Sequence, residues 1–489
     1  MDYFIWLLIL LTAGGPLVYL SGRLRPLQFW GAARMALLLL ALAWVLFLLA
    51  WRDYILLGPI LFSYGSIEMQ WDGVALLLSL VILLLGSLVT LYSRPYVAGE
   101  EGEEKYFAAL IILLGSMIGL ACSGDLFNLW IWFETMAIAS YLLVAFQREQ
   151  KATLEASVKY LVQSAAGSAL VLIGIALVLM ATGTLNLAEI QAAAGPSSLL
   201  VAAGALFVIG YGVKAALVPL HTWLPDAHAQ APSGISAMLS GVVIQAGLIA
   251  LLRSLLPLTA VTLSWGPLLL LFGAVNMLTG NLMALRQTQV KRLLAYSSLS
   301  HTGYILLGVG TAVMTGEWAA AQGSFFHIIS HALLKGLAFL AAGALLYALA
   351  TAKDDHKPLT LNDIGGAAQR YPLAALALSL AVLGLGGLPP LVGFMSKWQI
   401  LAAGATTQNW LIIGLILFAA VNSVLSLGYY APLVNRMYRH QPAAGILTGK
   451  ALPGSMTVPL LILTLFVLLL GFWPTLVQPI TEAAALIVR

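Results

Sequence analysis

The sequence predicts an all-α polytopic membrane protein of about fourteen transmembrane helices, two of them broken. Three observations carry that prediction: a composition too apolar for a soluble globule, a series of runs long enough to cross a bilayer, and a one-sided distribution of basic residues. Of 489 residues, 61% are hydrophobic and only 9% charged, whereas a soluble domain carries roughly a quarter charged residues. The solvent over most of the surface must be lipid. The net charge of +4 sits in short loops, which is the signature of topology rather than of nucleic-acid binding. Cys122 is the single cysteine, which excludes intrachain disulfides, CxxC redox chemistry and cysteine-ligated clusters. The start, Met1-Asp2-Tyr3, has no basic n-region, so the first apolar run is expected to be a retained helix.

A bilayer core of about 30 Å needs roughly 20 apolar residues per helix. On that ruler the spans fall near 3–20, 30–51, 73–92, 106–123, 125–146, 156–181, 199–219, 232–253, 264–285, 292–314, 323–349, 373–402, 410–430 and 457–474. The longest polar connection, Thr351 to Tyr371, is too short to fold alone. Between the second and third spans, Ile60 to Trp71 is extended around Gly65 and reads as a hairpin on the outer face.

Loops after odd-numbered spans carry Arg23, Arg25, Arg94, Lys105, Arg148, Lys151, Arg286, Lys291, Arg292, Lys353, Lys357, Arg370, Arg436, Arg439 and Lys450. The opposite side carries only Arg52, Arg253 and Arg489. Basic residues mark the cytoplasmic side, so both termini are expected on the outer face of a cytoplasmic membrane.

Two spans are interrupted. The seventh runs Gly210-Tyr-Gly-Val-Lys214-Ala-Ala-Leu-Val-Pro219, and the twelfth runs Gly384-Leu-Gly-Gly-Leu-Pro389-Pro390-Leu-Val-Gly393, then Lys397. Proline removes a donor and clashes with the preceding turn, and freed backbone groups inside a bilayer must be satisfied by protein or water. Kinks that merely shape packing are one reading; paired breaks, each beside a lysine, favour a functional cavity between inverted repeats.

An ionisable side chain at the bilayer centre costs at least ~2.5–3.5 kcal/mol on insertion scales. Glu134 lies mid-helix with no lysine or arginine within four residues on its own helix, so its partner comes from another helix or another subunit. Lys214, Lys335 and Lys397 also fall inside spans. Desolvation favours neutral lysine and a nearby carboxylate favours the charged form, so a Glu–Lys couple of variable separation can load and release a proton. A static buried ion pair is the alternative. His327, His331 and Lys335 are spaced i, i+4, i+8 and share one helix face. They suit a hydrated proton path, packing histidines, or a metal or haem site, though no second intramembrane histidine pair is evident. His221 and His228 follow the seventh span, and Lys291 and His301 flank the start of the tenth. These four are gate or entrance candidates, or ordinary loop residues and, for Lys291, a topology anchor. Lys159 is expected to snorkel to the interface.

Four segments resemble the antiporter-like membrane subunits shared by respiratory complex I (NADH-quinone oxidoreductase), Mrp-type sodium–proton antiporters and membrane-bound energy-converting hydrogenases. They are Asp125-Leu-Phe-Asn-Leu-Trp-Ile-Trp-Phe-Glu134, Lys214-Ala-Ala-Leu-Val-Pro-Leu-His-Thr-Trp-Leu-Pro-Asp-Ala-His228, Val290-Lys-Arg-Leu-Leu-Ala-Tyr-Ser-Ser-Leu-Ser-His-Thr-Gly-Tyr304 and Leu388-Pro-Pro-Leu-Val-Gly-Phe-Met-Ser-Lys397. The resemblance implies two inverted five-helix repeats, 106–254 and 255–430, between an N-terminal unit 1–105 and a C-terminal helix in 431–489. It implies that Glu134 and Lys214 form a couple, that Lys335 belongs to a central axis, and that Lys397 is the exit group. A lysine there looks like the Mrp D-type, hydrogenase-associated and terminal complex I subunits. One departure stands out: the family usually carries lysine or histidine in the middle of the eighth helix, where this chain has Gln245.

The expected function is therefore proton or cation translocation, with H⁺ alone or H⁺ and Na⁺ as the ions, by a non-redox subunit among other membrane subunits in a bilayer. No cofactor, metal or nucleic-acid partner is expected for this chain. A self-contained secondary transporter, a largely structural subunit with reduced pumping, and a haem-binding redox subunit are the rival readings.

Overall fold

The computed structural model describes residues 2–24, 31–258, 264–349, 358–439 and 441–488. Arg25, Lys353, Lys357 and Arg489, all part of the charge bias, lie outside the described residues, as does the stretch from Thr351 to Lys357.

Two long apolar helices, α1 (Tyr3–Arg23) and α2 (Ala32–Leu57), lead into a hairpin of β1 (Ile60–Tyr64) and β2 (Ile67–Trp71). Its antiparallel register pairs Ile60 with Trp71 and Tyr64 with Ile67. The two-residue turn places Gly65 at φ +62°, a left-handed value that a glycine meets without a Cβ penalty. Then come α3 (Gly73–Tyr96), α4 (Glu103–Ala121) and α5 (Leu126–Val144). Asp72 and Asp125 open α3 and α5 by accepting the N–H of Ala75 at 2.8 Å and of Asn128 at 2.7 Å, the N-cap bond that orphan donors need.

The long α6 (Lys151–Thr182) is followed by α7 (Leu187–Ala193), α8 (Ser198–Lys214), α9 (Leu224–Gln230), α10 (Ser233–Met238) and, after one π-helical turn, α11 (Ile244–Leu255). The second half holds α12 (Trp265–Leu285), α13 (Val290–Thr315), α14 (Trp318–Leu349), the short α15 (Ala367–Arg370), α16 (Pro372–Gly386), α17 (Val392–Thr406) and α18 (Trp410–Met437). The chain closes with α19 (Ala444–Thr448), α20 (Gly454–Phe472) and α21 (Gln478–Ala485).

Among the described residues, 11 helical segments are long and apolar enough to cross a membrane. The chain is an all-α polytopic membrane protein. The run 199–219 is not one helix: it stops at Lys214, and α9 begins only at Leu224. Likewise 373–402 divides into α16 and α17 around Pro389 and Pro390, with Gly387 at φ +84° closing α16. Proline cannot continue the ladder of intrahelical bonds, so both breaks fall where the sequence puts them.

The segment Ser233–Leu258 is wholly buried, α14 is mostly buried and α18 mostly exposed; α10, α11 and α14 are the centre, and α18 faces outward. In lipid, helices associate through close backbone packing rather than hydrophobic expulsion. Three glycines spaced seven residues apart, Gly266, Gly273 and Gly280, supply that contact between α12 and α13. A Cβ at Gly280 would lie 2.6 Å from the Ser300 nitrogen, and one at Gly303 2.5 Å from the Gly273 carbonyl oxygen.

Arg253 corrects a sequence expectation. It is not a loop residue but a buried member of α11, bound to Asp72 at 2.9 Å and to the Ala121 carbonyl. Burial of a guanidinium demands a counter-ion, and Asp72 provides it from the N-cap of α3.

Candidate ion pathway

Lys214 is the last residue of α8 and is fully buried. Its ammonium donates to Ser140 Oγ at 3.0 Å and to Tyr160 Oη at 2.6 Å and lies 4.3 Å from the Tyr160 ring centroid. Tyr160 in turn stacks on Trp223 at 4.0 Å, and the Trp223 indole donates to the Val213 carbonyl at 2.7 Å. Three elements thus seat one ammonium: α5, α6 and the irregular segment 215–223. That segment is satisfied from outside. Asn276 on α12 accepts from the Val218 N–H at 2.9 Å and donates to the Ala216 carbonyl at 3.1 Å.

Glu134 does not ion-pair with Lys214; among the described residues no cationic side chain lies within 4.0 Å of its carboxylate. The static ion pair is absent. One carboxylate oxygen is buried with no hydrogen-bond partner among the described residues. The residue shares a helix face with Phe127, Ile131, Ile138 and Leu142, the large apolar side chains that α5 exposes, at the 3–4 residue spacing of a single stripe.

The three histidines meet at the centre. His301 on α13 and His327 on α14 share a bond of 3.0 Å between Nδ1 and Nε2, with their rings stacked at 5.2 Å. His327 Nδ1 meets Ser396 Oγ at 2.9 Å, and Ser396 precedes Lys397 on α17. His331 Nδ1 lies 3.1 Å from the Gln245 amide nitrogen, so the departure at Gln245 is wired into the histidine cluster. Lys335 donates to the Leu294 carbonyl at 2.7 Å and to Ser297 Oγ. Lys397 donates to Leu385 O at 2.7 Å and Ser423 Oγ at 3.0 Å, capping the carbonyl end of α16, and lies 4.6 Å from the Tyr304 ring centroid.

Among the gate candidates, His228 is fully buried on Phe339, at 4.9 Å, with neither ring nitrogen bonded among the described residues. Lys291 is buried and donates to the Ala231 carbonyl, so it is no simple surface anchor. His221 is half-buried beside Tyr296. Lys159 is about half exposed, but it is paired with Glu155 at 2.7 Å and Asp226 at 3.2 Å. Asp226 also holds Arg292 at 3.1 Å, joining α6, α9 and α13.

None of Lys214, Lys291, Lys335 or Lys397 makes an ion pair among the described residues. Among the described residues their hydrogen bonds go to hydroxyls and backbone carbonyls. Among the described residues, no group of three or more His, Cys, Asp or Glu side chains could hold a metal ion.

A helix bundle with buried, ion-pair-free bases beside paired breaks defines a membrane protein with a polar interior, and sequence comparison gives that class its family. Residues 123–426, well over half the chain, match the family described as NADH:quinone oxidoreductase/Mrp antiporter, transmembrane. The chain belongs to this family of antiporter-like membrane subunits. It is 33% identical over 430 residues to the F(420)H(2) dehydrogenase subunit N of Methanosarcina mazei, covering 86% of this chain and 85% of that one. Its fold matches a chain of the membrane-bound sulfane sulfur reductase, an archaeal respiratory membrane complex, with a TM-score of 0.89 and 29% identity, covering 100% of this chain and 98% of the other. It also matches a chain of respiratory complex I from Thermus thermophilus, with a TM-score of 0.78 and 29% identity, over 98% of this chain and 100% of that one.

Proposed function

We propose that this chain is a non-redox, proton- or cation-translocating subunit of a multisubunit membrane complex, working beside other membrane subunits. Relatives named for a dehydrogenase and for respiratory complexes support that setting. The reading has fourteen spans: the 11 long apolar segments, the polar α13, and the broken pairs α8–α9 and α16–α17. Residues 106–254 and 255–430 form the two inverted repeats, 1–105 precede them, and 431–489 follow. The charge bias supports both termini on the outer face of a cytoplasmic membrane.

One observation carries the mechanism: a buried hydrogen-bonded line runs from His301 through His327 to Ser396, with bonds of 3.0 and 2.9 Å, and ends on the residue that precedes Lys397 in α17. Such a line suits proton exchange because its imidazoles and its hydroxyl can each accept and donate. In this reading Lys335 and His331, with Gln245, extend the line, while Lys214 loads from the side of Glu134. The exposed stripe that holds Glu134 supports contact with a neighbouring subunit, since a carboxylate facing lipid is costly. His221, His228 and Lys291 serve as entrance groups. The chain itself uses no cofactor in this scheme.

The test is Lys214→Met in the assembled complex, with proton uptake followed in sealed vesicles. Loss of translocation with normal subunit content is expected; unchanged pumping rejects the assignment.

A further inference from the structure

We infer that Asn276 is the positioning residue for Lys214: its carboxamide, mounted in the second half of the chain, pins the break in the first half on which the ammonium depends. This rests on the reading of Lys214 as a translocating group. The bonds that end α8 are Ala215 N–H to the Tyr211 carbonyl, Ala216 N–H to Val213 and Leu217 N–H to Gly212. The Val218 N–H and the Ala216 carbonyl lie beyond that ladder, and Pro219 next to them has no N–H to offer. Asn276 meets one with its oxygen and the other with its nitrogen, at 2.9 and 3.1 Å. An amide satisfies this pair in a single orientation, because an N–H needs an acceptor and a carbonyl needs a donor.

Ala216 also sits at φ +55°, a left-handed conformation that a non-glycine residue keeps only when its surroundings over-determine it. The clamp brackets that residue and fixes the backbone two residues beyond Lys214. Its mount is rigid: α12 packs on α13 through Gly266, Gly273 and Gly280, with backbone atoms of the neighbouring helix within 3.0 Å of where a Cβ would stand. From the other side, a Cβ at Gly247 would lie 3.0 Å from the Lys214 Cβ and 3.1 Å from the Ala215 nitrogen, so the break is held between α11 and α12. Asn276 is fully buried, and its side-chain hydrogen bonds go to the break, to Val218 and Ala216; its effect on ion movement is therefore assigned to the break.

The experiment measures proton translocation by the native complex in sealed vesicles, with subunit content checked by co-purification. Asn276→Leu should assemble and slow translocation about tenfold or more, as a misplacement worth one decade of rate would. Asn276→Asp, whose neutral acid carries one donor and one acceptor, should recover translocation at the acidic end of the pH range. If the clamp works by seating Lys214 on Tyr160, the losses from Asn276→Leu and Tyr160→Phe should not multiply in the double variant. Should Asn276→Leu fail to accumulate, Asn276→Ser, too short to bridge both backbone groups, carries the same expectation. Wild-type rates in either assembled variant, no recovery with Asn276→Asp, or losses that multiply overturn the inference. If Lys214→Met pumps normally, the underlying reading falls instead.

Discussion

Gln245 cannot carry a proton, yet its amide nitrogen lies 3.1 Å from His331 Nδ1, and this contact ties the departure to the histidine line. Gln245→Leu would leave that imidazole nitrogen buried and unpaired, a cost of about 1–3 kcal/mol. The expected outcome is a complex that loses heat stability and translocates more slowly, read by the temperature at which the solubilised complex aggregates and by vesicle acidification. At this scale the ionisable residues were legible, because Glu134, Lys214, Lys335 and Lys397 interrupt apolar runs. Their seats were not. Lys214 meets Ser140 and Tyr160 across 74 and 54 residues of sequence, and serine and tyrosine are too common in apolar helices to announce a role. Asn276 does carry a signal in the sequence, a carboxamide in the middle of an apolar run.

The helix breaks were readable because proline and glycine act locally. Their extents were not, since where α8 stops depends on Asn276 and Gly247 from distant segments as well as on nearby Trp223. The same holds for Arg253, whose place near the end of an apolar run looked like a topology anchor. Its pairing with Asp72 spans 181 residues and leaves no periodic trace. Removing one partner of a buried pair typically costs about 3–5 kcal/mol; Asp72 keeps some contact with solvent, so the lower end applies to Arg253→Leu. The double variant Arg253→Leu, Asp72→Asn should be more stable than Arg253→Leu alone, because asparagine keeps the cap of α3 and leaves no unpaired charge behind. Thermal aggregation of the two variants in detergent checks the order. A similar argument predicts that Gly303→Ala destabilises by about 1–3 kcal/mol through overpacking, as the added carbon would meet the Gly273 carbonyl oxygen at 2.5 Å.

At the scale of the whole molecule, apolar runs and the basic-residue bias gave the class and most spans, and four motif segments gave the family. How the two halves exchange contacts came only from the folded chain: α12 satisfies the break in the first half, and Gln245 on α11 meets His331 on α14. The topology makes its own prediction. A reporter fused after the C-terminus should be active when it is alkaline phosphatase and dark when it is a cytoplasm-dependent fluorescent protein; the reverse pattern would invert the orientation.

The claim on which all of this hangs is that ions cross by way of the buried histidine–serine line beside Lys397. Proton uptake by sealed vesicles holding the complete complex with His327→Leu tests it most directly, because that change cuts the bonds to both His301 and Ser396. With the subunit present at its normal level, translocation should be lost. A complex carrying leucine at that place and still pumping at the unmodified rate would contradict it.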